Sequence, residues 1–433
     1  MDAELSEKII PSSNIEQTIN DYLPHLKKKY IIDGSFEKAF PHTIEREPGD
    51  LRNKSPINFI IRDTNGLYLD LSSLYVEIDL EFTKPNFSRA GIADVKSYFI
   101  NNFGQSIWSV IKVFINDVCV ENSYHNTQLS NLRHLLSTPN QDAADYGALH
   151  ACFPIVTVPD VVDDDVLGLD DIKARISFTK KNEIKLIAPL SLNLASCQKY
   201  LVDGCEMKIE LHPCNAKLGL NNLAGENYEY DIKYVKLHCV KYKPYDAALI
   251  SCNKYLLHNE IEYLIRRPVV HDEIISAGTL EHNILRPFGA FNPPKIYLWL
   301  ADLTAVAGSH AYDPFAWKNH NLAHYSLKIN GSEVDYCKIM QDKVNIYHKS
   351  KQAHGSDYFT PYRLYVGNSF FIVSDCRLQS PLNSIHLDSK GNLCINLRFS
   401  EPLVTNIKAF VLGEVDSTFH IDNDRSITCN YQI

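Results

Sequence analysis

The sequence has few of the motifs on which enzymes depend. Its 433 residues contain no P-loop, no G-x-S-x-G nucleophile elbow and no H-E-x-x-H zinc motif. An H-x-H pair, which metalloenzymes built on β-barrels normally carry, is also missing. His420-Ile421-Asp422 has the related H-x-D form, but no second histidine follows it. His320 and His324 would lie about 13 Å apart on one strand, too far to share a metal ion. We therefore predict no catalytic, cofactor-binding or metal-binding residue, and no enzyme.

Cysteine pairs with the spacing of a metal site are missing as well. The count of eleven is odd, and no two cysteines form a C-x-x-C pair. Cys197, Cys205 and Cys214 come closest, at spacings of eight and nine residues, which zinc sites do not use. We interpret the cysteines as reduced thiols that serve as small apolar side chains, as is typical of cytosolic or nuclear proteins.

Targeting and membrane segments are not predicted. The N-terminus is acidic at Asp2 and Glu4, with no apolar h-region after it. No run approaches about 18 uncharged apolar residues, the length that a spanning helix requires. Whether a membrane lies beside the protein stays open at this stage.

The charge balance argues against a dedicated nucleic-acid-binding protein. The net charge is −9, and the one compact basic run is Lys27-Lys28-Lys29. That run is either a solvated terminal segment or an arm that contacts packaged nucleic acid or another anionic partner. The acidic segment Pro159–Asp171 lacks the D-x-[DN]-x-[DN]-G arrangement of a calcium loop, so it is interpreted as an exposed acidic loop. We predict no sequence-specific nucleic-acid binding.

What the sequence does contain is a repeat at half its length. Ile115-Asn116-Asp117 recurs as Ile329-Asn330-Gly331, an offset of 329 − 115 = 214 residues. Each copy closes a run in which apolar residues alternate, which is typical of a half-buried strand. Asn-Asp or Asn-Gly between two strands is a strong hairpin signal. The repeat indicates two similar β domains in tandem.

Short alternating segments fill the rest of the chain, with few helical ones. The polarity of 69–82 changes face part-way, which indicates a bulge or a bend. The strands are predicted at 57–62, 69–82, 172–178, 184–190, 207–211, 232–242, 260–270, 295–303, 369–374, 393–399, 407–412 and 418–421. The helices are predicted at 14–26, where Pro24 breaks the pattern, and at 125–136, 194–202 and 344–354.

Many short strands, turns between them and helices only in long connections describe an all-β protein. The chain is 45% hydrophobic, with 24 Tyr and 19 Phe, so it can fill large cores. We predict two tandem jelly-roll β-barrels with short helices in the connecting loops. The predicted division is an N-terminal arm at 1–50, a first jelly roll at 51–243 and a second at 244–433.

Several segments, taken in order, resemble one protein family. They are Tyr68–Leu71, Asn101–Trp108, Pro294–Tyr297, Asp313–Trp317, Ser326–Gly331, Gly391–Phe399 and Ile421–Arg425. Together they are similar to the hexon-like major capsid proteins of Polinton (Maverick) elements and adintoviruses, and to the double jelly-roll capsid proteins of small double-stranded DNA viruses. The resemblance runs from about residue 55 to the C-terminus.

The resemblance implies a structural role in a virion assembled in the host cytoplasm or nucleus. A homotrimer with six barrels would form a pseudo-hexagonal capsomer, bound to neighbouring capsomers and to a separate penton protein at the vertices. Two alternatives share the fold: a carbohydrate-binding or adhesion protein, and an enzyme on paired jelly rolls. Exposed tryptophans would favour the former. Trp108, Trp299 and Trp317 lie in or beside apolar strand-like segments, which favours core packing instead.

Overall fold

The computed structural model describes residues 36–49, 55–62, 66–83, 97–137, 149, 151–152, 170–179, 183–197, 199–222, 228–339, 343–355, 359–367, 369–376 and 389–431. The predicted helix at 14–26, the basic run at 27–29 and residues 159–169 of the acidic segment lie outside them. Within the described residues, no helix is long and apolar enough to cross a membrane.

Strands make up most of the described residues. The strands of the first half are β1 (Phe36–Glu45), β2 (Ile57–Ile61), β3 (Tyr68–Thr83), β4 (Ser97–Phe99), β5 (Trp108–Ile115), β6 (Val118–Ser123), β7 (Glu183–Pro189), β8 (Met207–Pro213), β9 (Leu220–Asn222) and β10 (Glu229–Pro244). Those of the second half are β11 (Ile261–Ile275), β12 (Glu281–Leu285), β13 (Phe291–Asn292), β14 (Lys295–Asp302), β15 (Leu322–Ile329), β16 (Ser332–Lys338), β17 (Phe371–Asp375), β18 (Ser389–Lys390), β19 (Leu393–Phe399), β20 (Ile407–Ile421) and β21 (Ile427–Cys429).

The helices all lie in connections between strands. They are α1 (Phe103–Ser106), α2 (Asn126–Ser137), α3 (Asp170–Thr179), α4 (Ala216–Gly219), α5 (Asp246–Leu256), α6 (Leu303–Val306), α7 (Lys343–His354) and α8 (Tyr362–Val366). A 3₁₀ turn covers Leu194–Ser196.

The strands form the same pair of antiparallel sheets twice. The first half has the sheets β1-β10-β3-β7 and β2-β8-β5-β6, and the second half has β11-β20-β14-β17 and β12-β19-β15-β16. Strand by strand, the two pairs follow the same chain order, and each interleaves its strands between both sheets in the manner of a jelly roll. We call the two pairs the first and second sandwich.

Alternation of side chains along the strands fills the two cores. Ile111, Val113 and Ile115 of β5 are fully buried, and so are Tyr325 and Leu327 of β15. These are residues whose alternation the sequence analysis used, because successive side chains of a strand point to opposite faces. One apolar cluster fills the first sandwich and a second fills the other, and each also includes a few residues from the other half of the chain.

The two ends of each sandwich differ. The hairpin turns at Asn116-Asp117 and Asn330-Gly331 lie at the end that we call the lower end. Helices α2 and α7 follow β6 and β16 at the opposite, upper end. Strand β2 ends beside the Asn116 turn, because Ile61 and Ile115 both pair with Met207, so β3 starts at the lower end. Strand β10 therefore finishes at the lower end, because Tyr242 pairs with Tyr68 at the start of β3. Helix α5, which joins the sandwiches, therefore lies at the lower end.

Two predicted elements are wrong in type. The segment 172–178, predicted as a strand, belongs to helix α3, which packs against β4 and buries Ile172 and Arg175 one helical turn apart. Its apolar residues fit a period of two, but Ile172 and Ile176 also fit the helical period. The predicted helix 194–202 is only the 3₁₀ turn, because Leu201 exchanges backbone hydrogen bonds with Leu69.

Other differences concern length. The predicted strands 407–412 and 418–421 are one strand, β20, and the predicted strand at 260–270 continues to Ile275 in β11. Pro268 is tolerated because β11 is an edge strand. Helix α5 was not predicted. The predicted bulge in 69–82 is confirmed, since the β3–β10 register shifts between the pairs Tyr75–His238 and Asp70–Val240.

The first sandwich begins before residue 51. Strand β1, inside the segment assigned to the N-terminal arm, pairs with β10 along its length. It was missed because an edge strand with few buried side chains shows little hydrophobic alternation, and Pro41 interrupts the pattern. The division of the remaining chain at 243/244 stays a prediction.

Candidate assembly interface

The repeated hairpin asparagines have the same structural role in both sandwiches. The Asn116 backbone N–H donates to the Glu206 carbonyl (2.9 Å), and the Asn116 Oδ1 accepts from the Glu206 N–H (2.8 Å). Asn330 does the same with Asn392, at 3.0 and 2.8 Å. Both asparagines have a positive φ, which Asn adopts at low cost. Each one therefore closes its hairpin and also fixes the start of the neighbouring strand, β8 or β19.

Asn116 also joins the two halves of the chain. Its Nδ2 donates to the carbonyl of Arg425 (2.7 Å), in the turn that follows β20. The Arg425 guanidinium donates to the carbonyl of Asp203 (2.7 Å) and pairs with its carboxylate (3.1 Å). The Tyr431 hydroxyl donates to the Val120 carbonyl (2.7 Å). The segment after β20 is thus bound to the lower end of the first sandwich.

The H-x-D motif belongs to this same turn. The Asp422 carboxylate accepts a hydrogen bond from the Ser426 N–H (2.8 Å), and the Asp422 carbonyl accepts one from the Arg425 N–H (3.1 Å). His420 lies 3.6 Å from the Glu260 carboxylate. The Asp422 contacts stabilise the turn, so the residues of the H-x-D motif have structural roles here.

Helix α2 of the first sandwich covers the second sandwich. Its residues Leu129, Leu132 and Leu136 belong to the apolar cluster of the second half. The Gln128 side chain donates to the Pro314 carbonyl (3.2 Å) and accepts from the Trp317 Nε1 (3.0 Å). The sequence analysis predicted this helix, but no local pattern indicated that its apolar side would complete the other half.

An ionic contact lies beside the start of α2. His125 is 3.0 Å from the Asp272 carboxylate, which also binds Lys408 at 2.6 Å. Burial lowers the pKa of His125, against the opposing effect of Asp272. Burial alone would raise the pKa of Asp272, but the hydrogen bonds and charges of Lys408 and His125 outweigh it, and the pKa is lowered. His125 also lies edge-on to Phe410, so the contact is packed from both sides.

A buried carboxylate organises the other side of α2. Glu121 accepts hydrogen bonds from the backbone N–H groups of Asn193 (2.8 Å) and Leu194 (3.0 Å), and from the Asn193 amide (2.7 Å). Arg133 of α2 donates to the carbonyl of Ser191 (2.8 Å). Burial lowers the pKa of Arg133, opposed by the charges of Glu121 and Glu414. A buried charge is tolerated only with this number of partners.

A cleft of about 590 Å³ separates α2 and residues 190–193 from the second sandwich. Arg133 and His134 line one wall, and Glu414 and Asp416 lie on the other. Arg266 pairs with Asp416 at 3.2 Å. The cleft is therefore a seam of mixed polar and apolar lining in the interface between the two sandwiches.

The equivalent sheets of the two sandwiches have different outer faces. In the second sandwich, Trp299 stacks on Trp317 and Phe410 (5.1 and 5.2 Å), and all three rings are fully buried. Helix α2 covers this face. In the first sandwich, Tyr75 and Ile187 of the corresponding sheet are 38% and 42% exposed. We call this exposed surface of β1-β10-β3-β7 the open sheet face.

Charged pairs surround the apolar centre of the open sheet face. The Tyr75 ring stacks on His238 (4.7 Å), and His238 lies 3.2 Å from the Glu77 carboxylate. Lys236 pairs with Glu45 at 3.5 Å. An aromatic centre with a polar rim is the pattern of a protein–protein interface.

Helices α7 and α8 are the counterpart of α2 in the second sandwich. They carry exposed apolar side chains at Val344, Tyr362 and Val366. The sequence of α7, KVNIYHKSKQAH, has three lysines and no acidic residue. We call the exposed side of these two helices the helical face.

The other residues singled out in the sequence have structural positions. His320 lies in a turn with φ 46°, while the His324 ring stacks on Tyr336 and forms a hydrogen bond of 2.9 Å with its hydroxyl. All eleven cysteines lie among the described residues and none of them forms a disulfide, and burial raises the pKa of Cys152 to about 12. No group of three or more metal-binding side chains exists among the described residues. The three tryptophans are fully buried, as core packing predicts.

Comparison by sequence finds little similarity to known proteins. No family model matches the chain. An uncharacterized protein of Caenorhabditis elegans is 21% identical over 293 residues, which are 66% of this chain and 66% of that protein, just under two thirds of its length.

Solved viral structures cover nearly the whole chain. A chain in the cryo-EM structure of the Sputnik virophage has a TM-score of 0.62 at 11% identity, covering 94% of this chain and 91% of that one. The Faustovirus major capsid protein has a TM-score of 0.57 at 8% identity, with 94% and 96% covered. The mavirus major capsid protein has a TM-score of 0.55 at 10% identity, with 90% of each chain covered.

The fold is therefore the double jelly roll of these viral capsid proteins, and the prediction of two tandem jelly rolls is confirmed. The resemblance to hexon-like capsid proteins is confirmed at the level of the fold. The narrower link to Polinton elements and adintoviruses stays a prediction.

Proposed function

We propose that the protein is a structural major capsid protein, which forms trimeric, pseudo-hexagonal capsomers in the icosahedral shell of a double-stranded DNA virus or virus-like element. The observation that carries the proposal is the packing of α2 on the second sandwich. In this interface a helix of one sandwich covers a sheet of the other. The corresponding sheet of the first sandwich, the open sheet face, and the corresponding helices of the second, the helical face, stay exposed.

Repetition of this interface leads to a closed ring. The second sandwich presents its helical face in the place where the first presents α2. The first sandwich presents its open sheet face where the second has its covered sheet. If the helical face of one copy binds the open sheet face of the next, each contact repeats the internal one. If each such step also rotated by about 60°, the ring would close after six sandwiches, or three copies.

The side chains of the two surfaces suit each other. The open sheet face offers Tyr75 and Ile187 at its centre and the carboxylates of Glu77 and Glu45 beside them. The helical face offers apolar side chains and the positive charge of α7. Complementary charge speeds encounter and selects the correct partner, whereas the buried aromatic area supplies most of the affinity. An obligate interface of this kind buries about 2,000–5,000 Å².

The remaining partners follow from the capsomer. Trimers would contact neighbouring capsomers and, at the vertices, a separate penton protein, and the protein would reside in the virion. The net charge of −9 leaves neutralisation of packaged DNA to other components or to counterions. Assembly in the host cytoplasm or nucleus and the relation to Polinton elements and adintoviruses are parts of the same proposal.

The mass of the purified protein tests the proposal. Light scattering coupled to gel filtration should give a particle near three times 49.3 kDa at micromolar concentration. Negative-stain images should then show hexagonal particles or shells. A stable monomer at that concentration would contradict the capsomer, since an obligate interface of this size does not dissociate under such conditions.

A further inference from the structure

A cavity of about 670 Å³ lies on the inner side of β11 and β20, where these strands pass from one core to the other. Towards the lower end, Ile265 of β11 and Phe419 of β20 belong to the apolar cluster of the first sandwich. Towards the upper end, Val411 of β20 belongs to the cluster of the second. Between them, Arg267 and Val415 line the cavity. The cavity therefore separates the two cores.

The lining of the cavity combines apolar side chains with a few polar groups. Val269, Phe288 and Val415 form what we call the apolar wall, and Phe291, which is 47% exposed, lies where the cavity meets solvent. The polar groups come from β11, β20 and the segment after β21. Sites for small molecules have volumes of about 300–1,000 Å³ and this kind of mixed lining. The cavity thus has the size and the lining of a small-molecule site.

Arg267 brings a positive charge into the cavity. Its guanidinium lies over the Tyr431 ring at 4.7 Å, and its Nε donates to the Ser417 hydroxyl at 3.5 Å. Burial lowers the pKa of Arg267, so water reaches this charge only in part. Asp416, the acidic residue of the described lining, points to the opposite face of β20, where it pairs with Arg266 at 3.2 Å. The inside of the cavity is therefore complementary to an anion.

We propose that the cavity binds an aliphatic carboxylate, with the carboxylate on Arg267 and the alkyl chain against the apolar wall. A planar guanidinium can donate two parallel hydrogen bonds to a carboxylate, which makes it selective for this group. The bound molecule would connect β11 and β20 to the segment that Tyr431 attaches to Val120 of the first sandwich. The proposal does not depend on the capsid role, because it uses only the cavity and its lining.

Calorimetric titration of the full-length protein with sodium decanoate tests the proposal. A single decanoate should bind to each chain, and the melting temperature should rise with decanoate concentration, because a ligand of the folded state stabilises it. Decylammonium and decanol have the same chain with a positive charge or none, and they should bind at least about tenfold more weakly. No binding of decanoate, equal binding of the three compounds, or many molecules bound per chain would overturn the proposal.

Substitution of two neighbouring arginines locates the binding site. Arg267→Gln should weaken the binding of decanoate by about tenfold or more, because it removes the charged donor. Arg266→Gln is the matched control, since this side chain is exposed on the other face of β11, and it should bind decanoate as the wild type does. Circular dichroism shows whether each variant is folded. Equal affinities of the two variants for decanoate would overturn the proposal.

Photolabelling of the wild-type protein gives a second test that needs no variant. A decanoate with a diazirine on its chain should label the peptides that contain Phe288 or Val415, and excess decanoate should suppress the labelling. Labelling confined to other peptides, or suppressed equally by decylammonium, would contradict a carboxylate site in this cavity.

Discussion

At the scale of single residues, the hairpin asparagines show how two similar turns acquire different importance. Both turns use the Oδ1 acceptor of the asparagine to fix the next strand. In the described part of the chain, only Asn116 also donates through its Nδ2 to the segment after β20. A small side chain at the lower end thus contributes to the folding of one sandwich and to its attachment to the other.

The difference between Asn116 and Asn330 can be measured with a conservative substitution. Asn116→Asp keeps the acceptor and loses the donor to Arg425, so it should destabilise the protein by about 1 kcal/mol. Asn330→Asp keeps the acceptor that its turn uses and should change stability little. Urea unfolding of the two variants and the wild type gives the comparison. Equal effects at both positions would show that the bond to Arg425 contributes nothing.

At the scale of elements, Gly413 explains why two predicted strands are one. A Cβ at this position would lie 2.3 Å from the Pro293 Cγ and 3.0 Å from the Phe288 ring. The glycine lets β20 continue past the proline that precedes β14. In the sequence, a glycine between two apolar runs favours a break, because glycine weakens isolated strands.

Substitution of Gly413 tests this close approach. Gly413→Ala should destabilise the fold by about 1–3 kcal/mol, because either the proline or the strand must shift. Gly49→Ala is the matched control, since its added Cβ would have only the Arg46 side chain nearby, at 3.9 Å. Thermal unfolding of both variants measures the effect. A Gly413→Ala protein as stable as the control would mean that β20 bends freely at this position.

The junction of α7 with α2 makes stability depend on pH. Burial, and secondarily the charge of Lys295, lower the pKa of His354 to about 4, below its ordinary value of 6.5. At pH values between these two pKa values, the unfolded chain binds a proton that the folded chain does not. Stability therefore falls as pH decreases from about 6.5 to about 4. Above this window the His354 contribution is constant.

Replacement of the histidine isolates its effect from that of the carboxylates. His354→Gln should flatten the decrease in melting temperature between pH 6.5 and 4, relative to the wild type. His258→Gln, at an exposed position, should leave the decrease as it is. Identical profiles for wild type and His354→Gln would show that protonation of the imidazole does not lower the stability of the folded protein.

The sequence predicts most of the elements, because many strands here are encoded locally. The runs ending at Asn116 and Asn330 alternate cleanly, and their turn residues are specific. Helix α3 was assigned as a strand, because its apolar residues fit both periods and only its packing on β4 decides between them. The candidate interface could not be predicted at all, since the coverage of Trp299 and Phe410 by α2 depends on how one half packs against the other.

At the scale of the whole molecule, the two equivalent sheets differ in what covers them. One sheet has an aromatic outer face covered by a helix of the same chain. The other has a mixed aromatic and charged face that is exposed in the single chain. A chain whose two halves are related in this way already contains one copy of the interface that a ring would repeat.

Substitutions at the two exposed surfaces test that ring. Tyr75→Glu on the open sheet face and Tyr362→Glu on the helical face should each convert the proposed trimer into monomers, by placing an unpaired charge in a buried interface. Val404→Glu, at an exposed position outside both surfaces, should remain trimeric. Gel filtration with light scattering distinguishes these outcomes, and circular dichroism shows whether each variant is folded. A trimer that tolerates both tyrosine substitutions would place the contact elsewhere.

The bond between Tyr431 and Val120 bears on the order of events during synthesis. These residues are 311 positions apart, and Phe419 and Ile421 also fill part of the first core. On a ribosome, the first sandwich therefore completes its core only after β20 and the turn after it have emerged. Incomplete chains would keep an unfilled core in the first sandwich, which leaves them exposed to chaperones and proteases.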